Sequence, residues 1–114
     1  MNLRDVKAKL RIPAIAAPMF LVSGPELVLA ACRAGIVGSF PANNARTIEV
    51  LDEWMQHIST ELAGSEIPWA INIMVHRTYA RTAEEMELVL KYKPPIVIAA
   101  LGSPESIVAA VPSY

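Results

Sequence analysis

Four short, mostly apolar runs dominate the chain: Ile12–Met19 (IPAIAAPM), Ile36–Phe40 (IVGSF), Pro68–Val75 (PWAINIMV) and Ile96–Leu101 (IVIAAL). A strand with one wet face alternates polar and apolar residues, so runs that do not alternate read as parallel strands covered on both faces. Between them lie segments with helical spacing. Strand–helix units in strict alternation require a parallel sheet with right-handed crossovers. Two architectures satisfy that pattern, a small open doubly wound sheet and the first half of an eight-unit barrel, which in full takes ~250 residues. A free-standing four-stranded sheet would expose a long apolar strand edge. The last helical segment also trails off at Pro112, Ser113 and Tyr114, where a fifth strand would follow. The expectation is therefore α/β, with residues 1–114 forming a single (βα)4 unit, the amino-terminal half of a TIM barrel.

The helical segments carry their own punctuation. Leu3, Val6 and Leu10 give a short amphipathic lead-in ending before Pro13, placed to plug the bottom of a barrel. Ser23, Pro25 and Glu26 spell an N-cap, a first-turn proline and a capping box, and Gly35 closes that helix after Ala34. Ile48, Leu51, Trp54, Met55, Ile58 and Leu62 trace one stripe, ended by Gly64 and Ser65. Thr82 with Glu85 makes a second capping box, and Met86, Val89 and Leu90 supply an apolar face up to Pro94 and Pro95. A last helix is expected from Ser103, Pro104 and Glu105 to about Val111.

Composition narrows the classes of partner. With 54% hydrophobic residues and a net charge of −1, the chain has apolar material for a sizeable core and no charge excess suited to nucleic acid or a membrane surface. Small molecules and other protein are the expected partners. The single cysteine, Cys32, excludes a disulfide framework and a cysteine-based metal site, and no run reaches the ~20 apolar residues of a membrane span. The amino terminus has no secretory pattern, so a cytoplasmic location is expected.

In parallel α/β folds ligands sit at the carboxyl ends of the strands. Those ends bring together Ala17, Pro18 and Met19; Ser39 and Phe40 with Asn43 and Asn44; Asn72 with Met74 to Arg77; and Ala100 with Leu101 and Gly102. A backbone of Ala and Pro allows close approach by a flat ligand. Asn72 is the sharpest signal, an amide inside an otherwise apolar strand; it either meets a ligand with its donor and acceptor or satisfies a neighbouring backbone or water. His76 could carry a proton or contact an anion, or stand solvated in its loop. Met19 could pack on an aromatic ring or lie in the core, and Ser39 could donate to a ligand or serve close packing. Arg77 and Arg81 could draw a phosphate or carboxylate, although loop charges are more often solvated. Glu84 with Glu85 and Asp52 with Glu53 read as helix-dipole complements and solvent face, and His57 as a surface residue.

Taken together, PAIAAPM at the first strand, AACRAGIVGSFPA after the first crossover helix, INIMVHR at the third strand and PPIVIAALGSP at the fourth resemble the amino-terminal half of the nitronate monooxygenases, also called 2-nitropropane dioxygenases. An APM first strand also occurs in FMN-dependent enoyl-reductases and, more distantly, inosine-monophosphate dehydrogenases. The resemblance implies a TIM barrel that binds FMN without covalent attachment and oxidises alkyl nitronates with O2 to carbonyl compounds and nitrite. It implies that Ala17, Pro18 and Met19 line the flavin ring, that Asn72 is the flavin-contacting asparagine and that Ala100 faces the cofactor. The family's catalytic histidine and phosphate loops belong to later strands, so no catalytic residue is expected here. His76, on a different strand, does not replace that histidine. The chain alone is then expected to hold FMN weakly or not at all, and to be inactive without a complementary half. The other expectations are an enoyl-reductase-like flavin barrel and a non-catalytic half barrel that self-associates through its exposed edges.

Overall fold

The computed structural model describes residues 2–111; the Pro112–Tyr114 end, discussed above, lies outside them. The elements run α1 (Leu3–Lys9), β1 (Ile15–Ala16), α2 (Pro25–Arg33), β2 (Val37–Pro41), a 3-10 turn (Ala42–Asn44), α3 (Ile48–Glu61), β3 (Trp69–Met74), α4 (Thr82–Tyr92), β4 (Ile96–Ala100) and α5 (Glu105–Ala110). The strands form one all-parallel sheet in the order β1-β2-β3-β4. Spatial order equals sequence order, so every crossover steps the same way. The order lacks the mid-sheet reversal of a doubly wound sheet. The α/β class and parallel sheet are as expected, and the arrangement is compatible with half a barrel.

The sheet has two unlike faces. Phe40 from β2 and Trp69, Ile71 and Ile73 from β3 pack against α2, α3 and α4 in the main core, with Val28, Leu29, Leu51, Met55, Ile58 and Val89. Residues one step along each strand point the other way: Val37, Ala70, Ile96 and Ile98 meet only Val6 and Leu10 of the α1 region. We call this second side the open face. α1 crosses its lower end, where Val6, Leu10, Ile15, Val37 and Ile96 line a groove of about 480 Å³. The lead-in helix therefore sits at the amino ends of the strands, as expected, and its N-cap is Asn2 in a reciprocal capping box with Asp5.

Several boundaries shift for identifiable reasons. The first apolar run gives only two residues of ladder, not eight. Pro13 and Pro18 lack the N–H that a ladder needs on either side, and Ala14 N–H turns back to the Ile12 carbonyl. α2 begins after Gly24, not Ser23. The Ser23 hydroxyl accepts from Met19 N–H at 2.9 Å, closing the β1–α2 loop instead of capping the helix. α2 ends as expected: Gly35, at φ +93°, lets its own N–H reach Cys32 O while Ile36 N–H reaches Ala31 O, and an added Cβ would lie 2.7 Å from Arg11 Cβ. Thr82 is also not an N-cap. It lies inside α4, and its hydroxyl donates to Met74 O at 2.9 Å. The buried face of α4 uses Glu85, Val89 and the partly buried Met86, Leu88 and Tyr92, leaving Leu90 exposed. The α3 stripe holds throughout, with Thr47 as an N-cap that accepts from Val50 N–H.

Candidate functional site

The carboxyl ends of the strands form the upper part of the open face. Register sets its rows: Ser39, Ala70 and Ile96 lie side by side, then Pro41, Asn72 and Ile98, then Met74 and Ala100. Most of these are small or apolar, and Asn72 is the amide among them. Its Nδ2 donates to Ile98 O at 3.0 Å, so half of the amide satisfies a neighbouring backbone; its Oδ1 accepts nothing from the described residues. What Asn72 still has beyond that bond is the acceptor Oδ1 and the second Nδ2 hydrogen.

Ala17, Pro18 and Met19 continue from β1 toward the same end. Ala17 and Met19 are exposed, and Pro18 is half-buried. Beyond them Phe20, Leu21 and Val22 are 64–77% exposed, an apolar lip with Leu21 in the left-handed region at φ +64°. A leucine there is strained, by about 1–2 kcal/mol. Asn44 holds it in place: its Oδ1 accepts from Leu21 N–H at 2.9 Å, and its Nδ2 donates to Met19 O at 2.9 Å and Ser23 O at 2.8 Å. Asn44 belongs to the rim but is spent on positioning the loop. An Asn44→Ala chain is expected to lose about 1–3 kcal/mol in urea denaturation, with faster hydrogen exchange at the Leu21 amide. Unchanged Leu21 protection would contradict this.

Other candidates have different fates. Ser39 is fully buried and its hydroxyl donates to Ala16 O, so it fastens β1 to β2 and is not available to a ligand. His76 is exposed; its Nδ1 accepts from Thr78 N–H at 3.2 Å and lies 2.6 Å from the Thr78 hydroxyl, which shapes the β3–α4 loop. Ala100 sits at the end of β4, its carbonyl accepting from Val75 N–H at 2.8 Å. Cys32 is buried in the core beside Pro68 O, and burial pushes its thiol upward. His57 is exposed, as expected. Asp52 is more than solvent face: it accepts from the Tyr92 hydroxyl and from Lys91 Nζ at 2.9 Å, clamping α3 to α4, and the Tyr92 bond leads in holding its carboxyl below the usual range.

The largest departures are at Glu85 and Arg81. Glu85 is 0% exposed, and burial drives its carboxyl upward against the opposing pull of the Tyr79 hydroxyl and the Arg81 charge. Tyr79 OH donates to Glu85 Oε2 at 3.1 Å, and burial followed by Glu85 pushes that phenol up to about 12. Arg81 is not a solvated loop cation. Its Nη1 donates to Ala45 O at 2.8 Å and Arg46 O at 3.3 Å, across from the turn after β2. Sequence reasoning missed this cluster because its contacts span up to 36 residues; an acidic residue in a helix's first turn ordinarily signals only a dipole complement.

The raised Glu85 value fixes a sign. Its folded carboxyl holds a proton above the ordinary unfolded value of ~4.3, so the folded state binds more protons in that window. The stability it contributes is present below the unfolded value and lost as pH rises through the folded one. Urea midpoints measured between pH 4 and 8 should carry a downward component that Glu85→Gln removes; an unchanged profile in that variant would contradict the assignment.

No protein-family model matches the chain, and no curated protein matches it significantly. What the fold and geometry define is a parallel α/β chain with α2, α3 and α4 packed on one face of its sheet, and on the other, above α1, a largely apolar floor with a single amide near the strands' carboxyl ends. Among the described residues there is no group of three or more His, Cys, Asp or Glu able to hold a metal ion, and no helix long and apolar enough to cross a membrane.

Proposed function

We propose that this chain is the ring-facing, amino-terminal half of an FMN-dependent barrel oxidoreductase of the nitronate monooxygenase type, a cytoplasmic enzyme oxidising alkyl nitronates with O2 to carbonyl compounds and nitrite. The observation that carries the reading is the open face. A singly wound parallel sheet leaves one side with α1 over its lower end alone, and its upper end presents Asn72 among Pro41, Met74 and Ala100. A flat heteroaromatic ring fits such a floor, since small side chains permit close approach and a lone acceptor can orient one ring N–H. Ala17, Pro18 and Met19 would wall the ring from the β1 side, Asn72 Oδ1 would accept from it, and Ala100 would lie on the β4 side. Bound FMN would supply the electron transfer between nitronate and oxygen. The residues of this chain bind and orient, and His76, whose Nδ1 is engaged within its own loop, is given no proton-transfer role. The strand-end motifs quoted above add the resemblance to this geometry.

Removing the acceptor tests the reading. In a protein that also supplies the later strands, Asn72→Ala should weaken FMN binding by on the order of 1–3 kcal/mol, the cost of leaving a polar partner unmatched, measured by quenching of flavin fluorescence with increasing protein. Equal affinity in the variant and the unaltered chain would remove Asn72 from the site. In a protein that also supplies the later strands, nitrite release from an alkyl nitronate in air is expected; turnover of an enoyl thioester instead would favour the enoyl-reductase reading. The free edges of β1 and β4 support a further expectation, self-association of the chain, which mass in solution reads directly.

A further inference from the structure

Between the top of β3 and the start of α4, three side chains hold an unfinished arrangement. Glu85 Oε1 is buried with no hydrogen-bond partner, and so are Arg81 Nε and Nη2. A bare acceptor and two bare donors, on residues four apart, are chemically complementary. Each orphaned group costs about 1–3 kcal/mol, yet among the described residues no direct ion pair joins them. Arg81 is held away from Glu85 by its Nη1 bonds to Ala45 O and Arg46 O. The guanidinium thus has two competing sets of acceptors, two carbonyls on one side and a carboxyl on the other.

We propose that Glu85, Arg81 and Tyr79 form a proton-operated latch: with Glu85 neutral, Arg81 fastens the β3–α4 loop to the turn after β2, and with Glu85 ionised the guanidinium turns to Oε1 and lets go of the Ala45 and Arg46 carbonyls. The only covalent change is loss of the carboxyl proton to bulk water. Tyr79 keeps its bond to Oε2 in both states, since a carboxyl oxygen accepts whether or not its partner oxygen carries a proton. The groups acting on Glu85 are Tyr79 and Arg81 from the loop and Glu84 from its own helix. The turn after β2 presents the carbonyls of Ala45 and Arg46, with the Arg46 side chain exposed, and β3 presents the Met74 carbonyl to Thr82. On α3, Asp52 is engaged by Lys91 and Tyr92. Burial keeps the neutral, latched state populated to higher pH than for a solvated carboxylate. The latch fastens the loop that carries His76 and leaves the end of β3, so it would set how firmly that part of the rim is held. It rests on the fold and not on the flavin reading.

Nuclear magnetic resonance of the whole chain tests it without a ligand. Glu85 Cδ, Arg81 Nε and the Ala45 carbonyl carbon are followed from pH 4 to 8. The latch predicts that all three shift together with one midpoint above the ordinary carboxylate range, and that in Glu85→Gln the Arg81 and Ala45 signals stay flat. Arg81 and Ala45 signals that ignore the Glu85 transition, or a Glu85 midpoint in the ordinary range, would overturn it. Should Glu85→Gln not fold, Tyr79→Phe serves: loss of the Oε2 donor should move the shared midpoint upward for all three nuclei, and an unmoved midpoint overturns the proposal equally.

Discussion

A Gly38→Ala chain is expected to lose about 3 kcal/mol of stability or more, from a single added methyl. Gly38 lies in β2 where α2 crosses the sheet, and a Cβ there would come 2.4 Å from Val28 O and 2.8 Å from Val28 Cα. Both neighbours are backbone, so no side-chain rotation relieves the clash and α2 must lift off the strand. Gly38 also pairs with Ala16 on one side and Trp69 on the other, which ties the displacement to two ladders. Urea denaturation followed by circular dichroism checks the value. A loss under 1 kcal/mol would mean that α2 is not seated on β2 as described. Gly64, with open space around its missing Cβ, is the matched control and should accept alanine with little change.

The second large effect is expected at Phe40. Its ring is fully buried and lies between the two tryptophans, edge-on to Trp54 at 5.9 Å and roughly parallel to Trp69 at 6.4 Å. Truncation to alanine removes the transfer energy of the ring, leaves a cavity and breaks two aromatic contacts, for a cost of about 3–5 kcal/mol. Tryptophan emission reads the same change locally, because the ring separating Trp54 from Trp69 is gone. A chain as stable as the unaltered one, with the same emission, would place Phe40 outside the core.

How far the sequence reached depended on the range of the interactions involved. Periodicity is local, so the stripe from Ile48 to Leu62 and the glycine stop at Gly35 were legible. So was the alternation of four strands with helices. What failed was decided across the chain. Ser23 and Thr82 both have N-cap chemistry, but a hydroxyl bonds whatever amide or carbonyl the fold brings to it, and here those are Met19 N–H and Met74 O. Leu90, expected on the apolar face of α4, is exposed while Leu88 is partly buried, because which side of the helix is covered is fixed only by its packing on α3 and the sheet. Glu85 is the clearest case: its burial requires Tyr79 and Arg81 to fold over it, and nothing in its own turn of sequence says so. The rim fared between these extremes. Asn72 stood out as an amide in an apolar strand, while the pinning role of Asn44 depends on a loop more than twenty residues earlier.

Among the residues that shape the upper rim, Asn44 spends its amide on the β1–α2 loop, Ser23 its hydroxyl on Met19 N–H and His76 its Nδ1 on Thr78, whereas Asn72 keeps its acceptor Oδ1 unengaged. A ligand reading the rim would therefore meet a largely apolar floor with one orienting group. On the proposed flavin reading, such a floor would take a flat ring.

The most direct test of the flavin-facing account is an amide-shift map of the chain as FMN is added, a measurement sensitive to millimolar binding. The account predicts changes concentrated at Ala17, Met19, Asn72 and Ala100, with the Asn72 side-chain amide among the largest, and little change on the helix-covered side at α2 and α3. Changes confined to the helix-covered side, or a map in which other residues move while Ala17, Met19, Asn72 and Ala100 stay still, would contradict it.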